Sequence, residues 1–536
     1  MMLAFAWGVG SPARAEDGLA QAPPAPAARA QPRTLDILEF RVEGSTVLSA
    51  DDLERALYPF LGPGRVLEDV EKARVALDKA YSDKGFLSVV VAIPPQTVRG
   101  GVVTLQVTEG KVGQLRVRGA TYFLPSEVKK HAPSVAEGKV PNVNDLVRDI
   151  VVLNQFPDRR VAPAVRAGVE PGTVDVDLNV QDTLPLHGSL ELNNRYSAGT
   201  TPLRINGSIR YDNLWQAGHS IGFAFQLAPQ RIADGEVFSA TYRARIPGVT
   251  WLSFSASATF QDSEVSTLGS SAATGKGRIY GLRALFTLPG STGFYQSLAV
   301  GADYKNFYEG LSFSAAPGSG GGTVLQQVPV SYWPFTVSYG GTWAGETSQT
   351  QVNATLVANL RGLSSSAPDF DAKRYKASGN FVYLRADASR TDSLFGGMQL
   401  SEKVQAMYCQ GPLISSEQFV AGGIDSVRGY LEVTASGDYG VVGTFEVRSP
   451  PLLGWTGNPG LQDWRVHLFT DVGWTAIHDA LPEQWPNAGL WSVGAGTRAR
   501  LFGHLGGDVE FGLPLRAQGT TEKMQPRIQF RVWGDF

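Results

Sequence analysis

Apolar and polar residues alternate along Trp251–Gln261, which reads WLSFSASATFQ. Because successive side chains of a β-strand point to opposite faces, this pattern places Leu, Phe and Ala on one face and Ser, Thr and Gln on the other. One such strand also fits a soluble β-sandwich. About sixteen alternating segments can be placed between Leu184 and Phe536, however, and an even count is typical of transmembrane barrels. The sequence therefore predicts an all-β transmembrane barrel of about sixteen antiparallel strands over residues 184–536.

The connections between these segments alternate in length. Ile246–Gly248 and Leu288–Gly293 are short, whereas Asp262–Gly277 and Gly411–Leu431 are long and contain several glycines and serines. Short turns at one end and long loops at the other are typical of a membrane barrel.

Composition limits the other classes of function. The net charge of −3 gives no basic footprint, so no nucleic-acid partner is expected. No apolar run reaches the length of about 18 residues that a membrane helix needs. Alternating barrel strands average to a neutral hydropathy, and the mean hydropathy here is −0.09. Cys409 is the only cysteine, which excludes a disulfide within the chain.

The amino-terminal residues have the features of an export signal. A short apolar run precedes Ala13-Arg14-Ala15, which has the small-x-small shape of a signal-peptidase site. We expect residues 1–15 to be a signal peptide that is cleaved before Glu16, with a disordered tail as the alternative. Residues 16–34 are rich in alanine and in proline, which interrupts helices, and are expected to be a linker.

Residues 35–183 contain an internal repeat. Phe40–Thr46 (FRVEGST) returns as Leu115–Thr121 (LRVRGAT), 75 residues later since 115 − 40 = 75. Each copy shows a strand, which is Leu35–Val42 in the first copy, then segments with a helical spacing of apolar residues, and two further strands. We therefore expect two α+β modules, at residues 35–111 and 112–183.

The first module carries two recognisable motifs. Tyr81–Phe86 (YSDKGF) and Val107–Gly110 (VTEG), in a β-α-α-β-β order, resemble those of polypeptide-transport-associated (POTRA) modules. Each module ends in a three-stranded sheet, whose exposed edge offers unpaired backbone groups to an extended segment of cargo. We expect Phe86–Ile93 to be that edge. The residues expected to contact cargo there are Phe86, Val89 and Val91.

The stretch Gly422–Tyr430 (GGIDSVRGY) sets one arginine between glycines. An isolated motif of this kind is more often a surface turn. Two downstream strands favour another interpretation, because their alternation turns Glu446 and Asp471 toward the barrel interior. A guanidinium fork suits a carboxylate, so we expect Arg428 to pair with Asp471, with Glu446 as the alternative partner, and to hold the loop 411–431 inside the barrel.

Three motifs together resemble a known family. Val427–Tyr430 (VRGY), then Glu446–Pro450 (EVRSP) and Phe469–Gly473 (FTDVG), look like the outer-membrane B-components of two-partner secretion, of the haemolysin-activator and filamentous-haemagglutinin-transporter type. The resemblance implies two periplasmic POTRA modules before a large barrel, and a secreted partner exoprotein that is exported in extended form. It also implies a loop that folds inward to meet the later aspartate. The residues to which this loop contact is assigned are Arg428, Gly429, Tyr430 and Asp471. Family members often begin with a helix that plugs the pore, which the proline-rich residues 16–33 do not favour.

The carboxyl-terminal segment Ile528–Phe536 alternates and ends in Phe536, which resembles the sorting signal of outer-membrane barrels. We therefore expect the chain in the outer membrane of a Gram-negative bacterium, with its POTRA modules in the periplasm. Outer-membrane lipid and the barrel-assembly machinery are the further partners expected. Two other functions stay open at this point, namely a factor for barrel assembly or membrane insertion, and a passive porin.

Catalytic motifs are weak in this sequence. The six histidines are scattered without metal-ligand spacing, and no Gly-x-Ser-x-Gly elbow precedes a helix. His467 lies close to Asp471 in sequence, but polar residues that face a barrel interior usually only line it. We therefore expect no enzymatic activity, no metal and no cofactor.

Overall fold

The computed structural model describes residues 34–263, 265–266, 273–274, 276–308, 310–313, 323–327, 329–452, 460–482 and 484–536. The expected signal peptide, its cleavage before Glu16 and the linker up to residue 33 lie outside the described residues. The chain divides into two compact units. The first comprises the described residues up to Leu115 with Ser134–Leu146 and Val165–Val176, and the second comprises Arg116–Pro133, Val147–Ala164 and Asp177–Phe536.

Residues 35–109 form an α+β module. Its elements are β1 (Leu35–Ile37), β2 (Glu39–Glu43), α1 (Ala50–Leu57), β3 (Gly62–Arg65), α2 (Leu67–Asp83), β4 (Val89–Ala92) and β5 (Val102–Glu109). β5 lies between β2, which runs parallel to it, and β4, which runs antiparallel. The alternation in β5 buries Leu105 and Val107 in one apolar cluster with Leu77 of α2, and this cluster is the core of the module.

Two strands of this module differ from the sequence prediction. The expected strand Leu35–Val42 is broken at Leu38, because the amides of Leu38 and Glu39 both donate to the carbonyl of Gly101. The residues before the break, β1, pair instead with β3. The expected strand Phe86–Ile93 is reduced to β4, which does lie at an edge of its sheet.

A second set of α+β elements follows. It consists of β6 (Lys111–Arg118), α3 (Pro125–Lys130), α4 (Val143–Leu153), β7 (Arg159–Ala167) and β8 (Thr173–Asp182). The three strands form a sheet in the order β6-β8-β7. The predicted α+β class of the first third of the chain is thereby confirmed.

The sequence repeat corresponds to a turn that is built twice. Glu109, at the end of β5, accepts a hydrogen bond of 2.6 Å from the amide of Thr46. Asp182, at the end of β8, accepts one of 2.9 Å from the amide of Thr121. The glycine that begins the first turn, Gly44, has a φ of +86°, and a Cβ there would lie 2.3 Å from a carbonyl oxygen of β5. Glycine is therefore required at this close approach.

Most of the remaining strands form a closed barrel of antiparallel neighbours. They are β9 (Leu186–Asn193), β10 (Arg204–Leu214), β11 (His219–Leu227), β12 (Glu236–Ile246), β13 (Val249–Asp262), β14 (Gly277–Ser291), β15 (Phe294–Phe307), β16 (Val330–Tyr332 and Pro334–Ala344), β17 (Ser348–Asn359), β18 (Phe381–Ser393), β19 (Gln399–Cys409), β20 (Tyr439–Arg448), β21 (Leu461–Ala476), β22 (Asn487–Leu501), β23 (Leu505–Pro514) and β24 (Arg527–Asp535). Both parts of β16 pair with β15, so the barrel has sixteen strands. The predicted transmembrane-barrel class is confirmed.

Side chains of the barrel alternate between its interior and its outer surface. On β11, Phe223 is 57% exposed on the outside, whereas Gln226 is fully buried inside. Short turns occur at one end of the barrel, at residues 215–218, 247–248, 292–293 and 345–347. Long connections occur at the other end, at residues 263–276, 308–329, 360–380 and 410–438. None of the helices within the described ranges is long and apolar enough to cross a membrane.

Candidate functional site

The connection between β19 and β20, residues 410–438, is folded into the barrel, and we name it the inner loop. Val427 and Tyr430 at its tip are fully buried. Gly422 and Gly423 adopt φ angles of +106° and +110°, which favour glycine. A Cβ on Gly423 would also lie 2.2 Å from the carboxylate of Glu432 on the returning arm of the loop. The two glycines thus allow a sharp, closely packed turn, which directs the tip of the loop toward the barrel interior.

Arg428 lies at this tip and contacts Asp471 of β21. Its Nε donates to Oδ2 at 2.9 Å and its Nη2 donates to Oδ1 at 3.0 Å, which is a two-point fork. The backbone amide of Arg428 donates to the same Oδ2 at 3.0 Å. The side chain of Asp471 is fully buried and that of Arg428 is 5% exposed. The structure therefore brings together the two residues that the sequence pattern pairs.

Two more carboxylates and an aromatic ring complete the surroundings of Arg428. Nη1 donates to Glu446 of β20 at 2.6 Å and lies 3.5 Å from Glu510 of β23. The guanidinium carbon lies 3.5 Å from the ring centre of Phe469, which adds a cation–π contact. Glu446 is thus a second partner rather than an alternative. Glu510 was missed by the sequence interpretation, although the alternation around it in β23 signals an inward side chain.

Gly429 and Tyr430 fix the tip on a neighbouring part of the wall. Gly429 has a φ of +86° and packs against Gly512 of β23, where a Cβ would lie 2.5 Å from the Gly429 nitrogen. Its amide donates to the side chain of Gln529 at 3.1 Å. The hydroxyl of Tyr430 donates to the carbonyls of Arg516 and Trp491 at 2.7 and 3.1 Å. Arg428, Gly429 and Tyr430 therefore each have a defined contact with the barrel wall.

Further ion pairs, which were not predicted, hold the inner loop, and two of them have partners from other connections. Glu432 accepts a hydrogen bond of 3.0 Å from Nε of Arg195, in the connection after β9. Asp438, which is fully buried, is bound in a fork by Arg374 from the connection between β17 and β18. These partners come from other connections far away in the sequence, and no local pattern marks them.

His467 of β21 also faces the interior. Its Nε2 lies 2.9 Å from Glu510, and its side chain is 4% exposed. It therefore belongs to the same interior network as Arg428, consistent with its interpretation as a lining residue.

The three residues expected to contact cargo, Phe86, Val89 and Val91, differ in how far they are buried. Val89 and Val91 are 7% and 2% exposed and point into the core of the first module, so their side chains are not available to a partner. Phe86 packs partly against the same core. This corrects the prediction for side chains, because the period-two alternation of β4 exposes Val90 instead, at 62%. The backbone of β4 still forms the edge of the sheet.

Phe536 lies where the barrel closes. Its amide donates to the carbonyl of Gly188 at 3.0 Å, and the amide of Gly188 donates back at 3.1 Å. The ring of Phe536 is largely exposed and covers Gly188, where a Cβ would lie 2.5 Å from the ring. The proposed sorting residue thus extends the pairing between β24 and β9.

One group of possible metal ligands occurs in the described part of the chain. Ligand atoms of Asp158, His187 and Asp212 lie within 4.8 Å of one another, although their sequence spacing gives no sign of it. His187 Nε2 is 3.0 Å from Asp158, and Arg210 donates to Asp212 at 2.7 Å. Each member of the group therefore already has a partner within the protein.

Comparisons with known proteins agree with this architecture. A family model described as POTRA domain, ShlB-type, matches residues 35–110, and one described as haemolysin secretion/activation protein ShlB/FhaC/HecB matches residues 341–499. The chain is 22% identical over 475 residues to the outer membrane transporter CdiB of Dickeya dadantii (strain 3937), covering 82% of this chain and 75% of that protein. It is 19% identical over 394 residues to the heme/hemopexin transporter protein HuxB of Haemophilus influenzae (strain ATCC 51907 / DSM 11121 / KW20 / Rd), covering 73% of this chain and 67% of that protein.

Solved structures show the same fold. CdiB from Escherichia coli superimposes with a TM-score of 0.62 at 20% identity, over 96% of this chain and 92% of that one. CdiB from Acinetobacter baumannii gives 0.56 at 15% identity, over 95% and 91%. The chain thus combines a POTRA domain of the ShlB type with a sixteen-stranded barrel that matches the haemolysin secretion/activation proteins ShlB/FhaC/HecB over residues 341–499, and it resembles the outer-membrane transporters of two-partner secretion.

Proposed function

We propose that this transporter recognises one partner exoprotein through its POTRA modules and exports it, in extended form, through its own barrel to the cell surface. The exoprotein would be of the haemolysin, haemagglutinin or adhesin type. The role is transport, without an enzymatic step, a metal or a cofactor. The observation that carries the proposal is the inner loop, which Arg428 fixes inside a closed barrel beside a cavity of about 740 Å³.

The cavity suits the passage of an extended peptide. Its wall includes small hydroxyl and amide side chains, among them Ser338, Asn353, Thr355 and Gln405. The backbone of an extended chain carries one donor and one acceptor at almost every residue, and these must be satisfied when water is excluded. Together with charged groups of both signs, such as Arg385 and Asp387, these side chains offer donors and acceptors to many sequences.

The edge strand β4 supports capture by strand addition. Val90 and the neighbouring Leu87 are 62% and 64% exposed, beside backbone groups at the edge of the sheet. An extended segment gains affinity from such main-chain groups and specificity from alternate side chains. Pro94 and Pro95 follow β4 and limit how far the added strand extends.

The outer surface supports contact with outer-membrane lipid. Phe223, Leu282 and Leu468 are 57%, 69% and 67% exposed on barrel strands. Insertion would depend on the barrel-assembly machinery, for which the exposed terminal Phe536 is the proposed signal.

Comparative analysis of secreted and outer-membrane proteins tests the function. Deleting the gene for this protein in its native host should remove one large protein from the culture medium and leave other outer-membrane barrels at their normal levels. Depletion of many barrels would contradict the proposal and favour an assembly factor. An unchanged medium would contradict it in favour of a passive porin.

A single charge on the edge strand tests the role of the first module. Val90→Lys should reduce export, because a charged side chain on an edge opposes pairing with a further strand. Val75→Lys is the matched control, since Val75 is 49% exposed on α2 and is not part of the sheet. Equal export by both variants would exclude β4 as the capture edge.

A further inference from the structure

The arm of the inner loop that follows β19 is held by a buried carboxylate. Glu417 is 2% exposed, and its Oε1 accepts hydrogen bonds from Lys305 Nζ at 2.6 Å and from the Tyr332 hydroxyl at 2.5 Å. Its other oxygen accepts one from the Tyr383 hydroxyl at 2.7 Å. Glu417 is thus a carboxylate with three donors and a matched positive charge, and we name these four residues the Glu417 cluster.

The Glu417 cluster lies at the end of the barrel that carries the long connections. Lys305 is the third residue from the end of β15, Tyr332 ends the first part of β16, and Tyr383 is the third residue of β18. Each of these positions adjoins a long connection. In a two-partner secretion transporter whose short turns share the periplasmic side with the POTRA modules, this end faces the cell exterior.

The cavity of about 740 Å³ meets the arm at this end. Tyr383 lines the cavity and also binds Glu417, and Phe419 and Val420 of the same arm line it as well. Deeper in the barrel the wall carries Asn353, Arg385 and Gln405. The arm and the Glu417 cluster therefore cover the outer end of a polar cavity that continues into the barrel.

The chemistry of the Glu417 cluster suits a latch. Paired and hydrogen-bonded, Glu417 and Lys305 are stable in a buried position, whereas either one alone would be an uncompensated buried charge. If the arm swings away, both groups are exposed together and are solvated by water. The cluster therefore favours two arrangements, fully paired or fully hydrated, over any intermediate one.

We infer that the Glu417 cluster is the latch of an outer gate, which closes the cavity at rest and releases the arm of the inner loop when an extended polypeptide passes. This inference rests on the proposed function, since it takes the cavity as the export path. It assigns a positioning role to Lys305, Tyr332, Tyr383 and Glu417, separate from the contacts of Arg428 with β20, β21 and β23.

Conductance of the purified full chain in planar lipid bilayers, with KCl as the probe, tests the latch. Glu417→Gln and Lys305→Met should each increase the mean conductance and the time spent open. The charge-swapped variant, Lys305→Glu with Glu417→Lys, should return both quantities toward those of the unaltered chain, which a merely structural defect would not do. Lys376→Met is the control, because Lys376 pairs with Asp479 and is 54% exposed.

Tyr383→Phe provides a milder variant that removes one donor and keeps the ion pair, and heat-modifiable migration verifies that each barrel is folded. A conductance unchanged in folded Glu417→Gln, Lys305→Met and Tyr383→Phe would overturn the inference. A swapped variant that conducts as strongly as the single variants would overturn it as well. Conductance is measured without cargo and so does not depend on export. If the variants conduct more strongly but the unaltered chain exports no protein in cells, the gate stands and only the proposed function is rejected.

Discussion

Arg428 and Asp471, 43 residues apart in the sequence, are joined by a two-point fork and by a third hydrogen bond from the backbone amide of Arg428. The fork fixes the orientation of the guanidinium group, and the amide hydrogen bond fixes the backbone at Arg428. The pair therefore positions the tip of the inner loop as well as neutralising the charge of Asp471. Lysine has a single, freely rotating ammonium and cannot reproduce this geometry.

We expect Arg428→Lys and Arg428→Ala both to impair export while the barrel still inserts. Removing the arginine leaves Asp471 and Glu446 as buried carboxylates without their main cation, which costs about 3 to 5 kcal/mol at a dry site. Export is measured in the culture medium, and barrel folding by heat-modifiable migration.

Arg390→Lys is the matched control for this change. Arg390 also binds a carboxylate, that of Asp392, but its side chain is 50% exposed, and such exposed pairs contribute little. Full export by folded Arg428→Ala would exclude the proposed role of the arginine.

The two partners should also behave as a coupled unit. Asp471→Ala should resemble Arg428→Ala, and the double variant should be no worse than either single one, because residues in contact are non-additive. Export rates and barrel stability of the four proteins complete the cycle. Strictly additive defects would show that the two residues act independently.

The stability of the first module should depend on pH through Glu109. Burial by itself raises the pKa of Glu109, but hydrogen bonds from the hydroxyl and amide of Thr46 and the amide of Val47 outweigh it, so the pKa lies below its usual value of 4.5. A carboxylate with a lowered pKa in the folded state stabilises above its unfolded pKa, and this stability is lost as the pH falls through the folded value.

Glu109→Gln should therefore destabilise the first module at pH 7 and have a smaller effect below about pH 4, where the unaltered glutamate is itself being protonated. Hydrogen exchange of residues 35–110 in the full chain measures it. Glu43→Gln, at an exposed position of β2, is the control. A Glu109→Gln effect that grows as the pH falls would contradict the argument.

The barrel and the arginine pair follow from the sequence for physical reasons. A strand with lipid on one side and water on the other must alternate, and alternation alone turns Asp471 and Glu446 inward, where the structure has them. Glycines at 422, 423 and 429 mark a backbone that needs positive φ. A local sequence pattern thus predicts the structure wherever a single physical requirement, such as alternation or positive φ, selects the residue type.

Other contacts of the inner loop escape such reasoning. Glu432 meets Arg195 across 237 positions, and Asp438 meets Arg374 from another connection, so neither pair leaves a periodic signal. The break at Leu38 is equally invisible, because it depends on a hydrogen bond to Gly101 from a distant part of the module. Tertiary contacts of this kind decide details that local propensity does not specify.

The unit that contains the barrel also contains an aromatic cluster around Phe156. Phe156 contacts the guanidinium groups of Arg159 and Arg245, at 4.7 and 4.6 Å from its ring centre, and makes an edge contact with Phe123 at 5.8 Å between ring centres. Gly218, in the turn after β10, packs on the same ring, where a Cβ would lie 2.5 Å away. The ring thus joins residues 147–164 to a barrel turn and to β12.

Phe156→Leu should loosen this contact without unfolding the barrel. Each cation–π contact contributes about 0.5 to 2 kcal/mol, and leucine supplies none. Burial lowers the pKa of Arg159 to about 10, so the residue stays charged at pH 7 and loses the ring as a partner. We expect faster hydrogen exchange and proteolysis within residues 147–164, with normal heat-modifiable migration of the barrel. Phe395→Leu, at a position 84% exposed, is the control, and equal protection of residues 147–164 in both variants would show that the ring does not hold this segment.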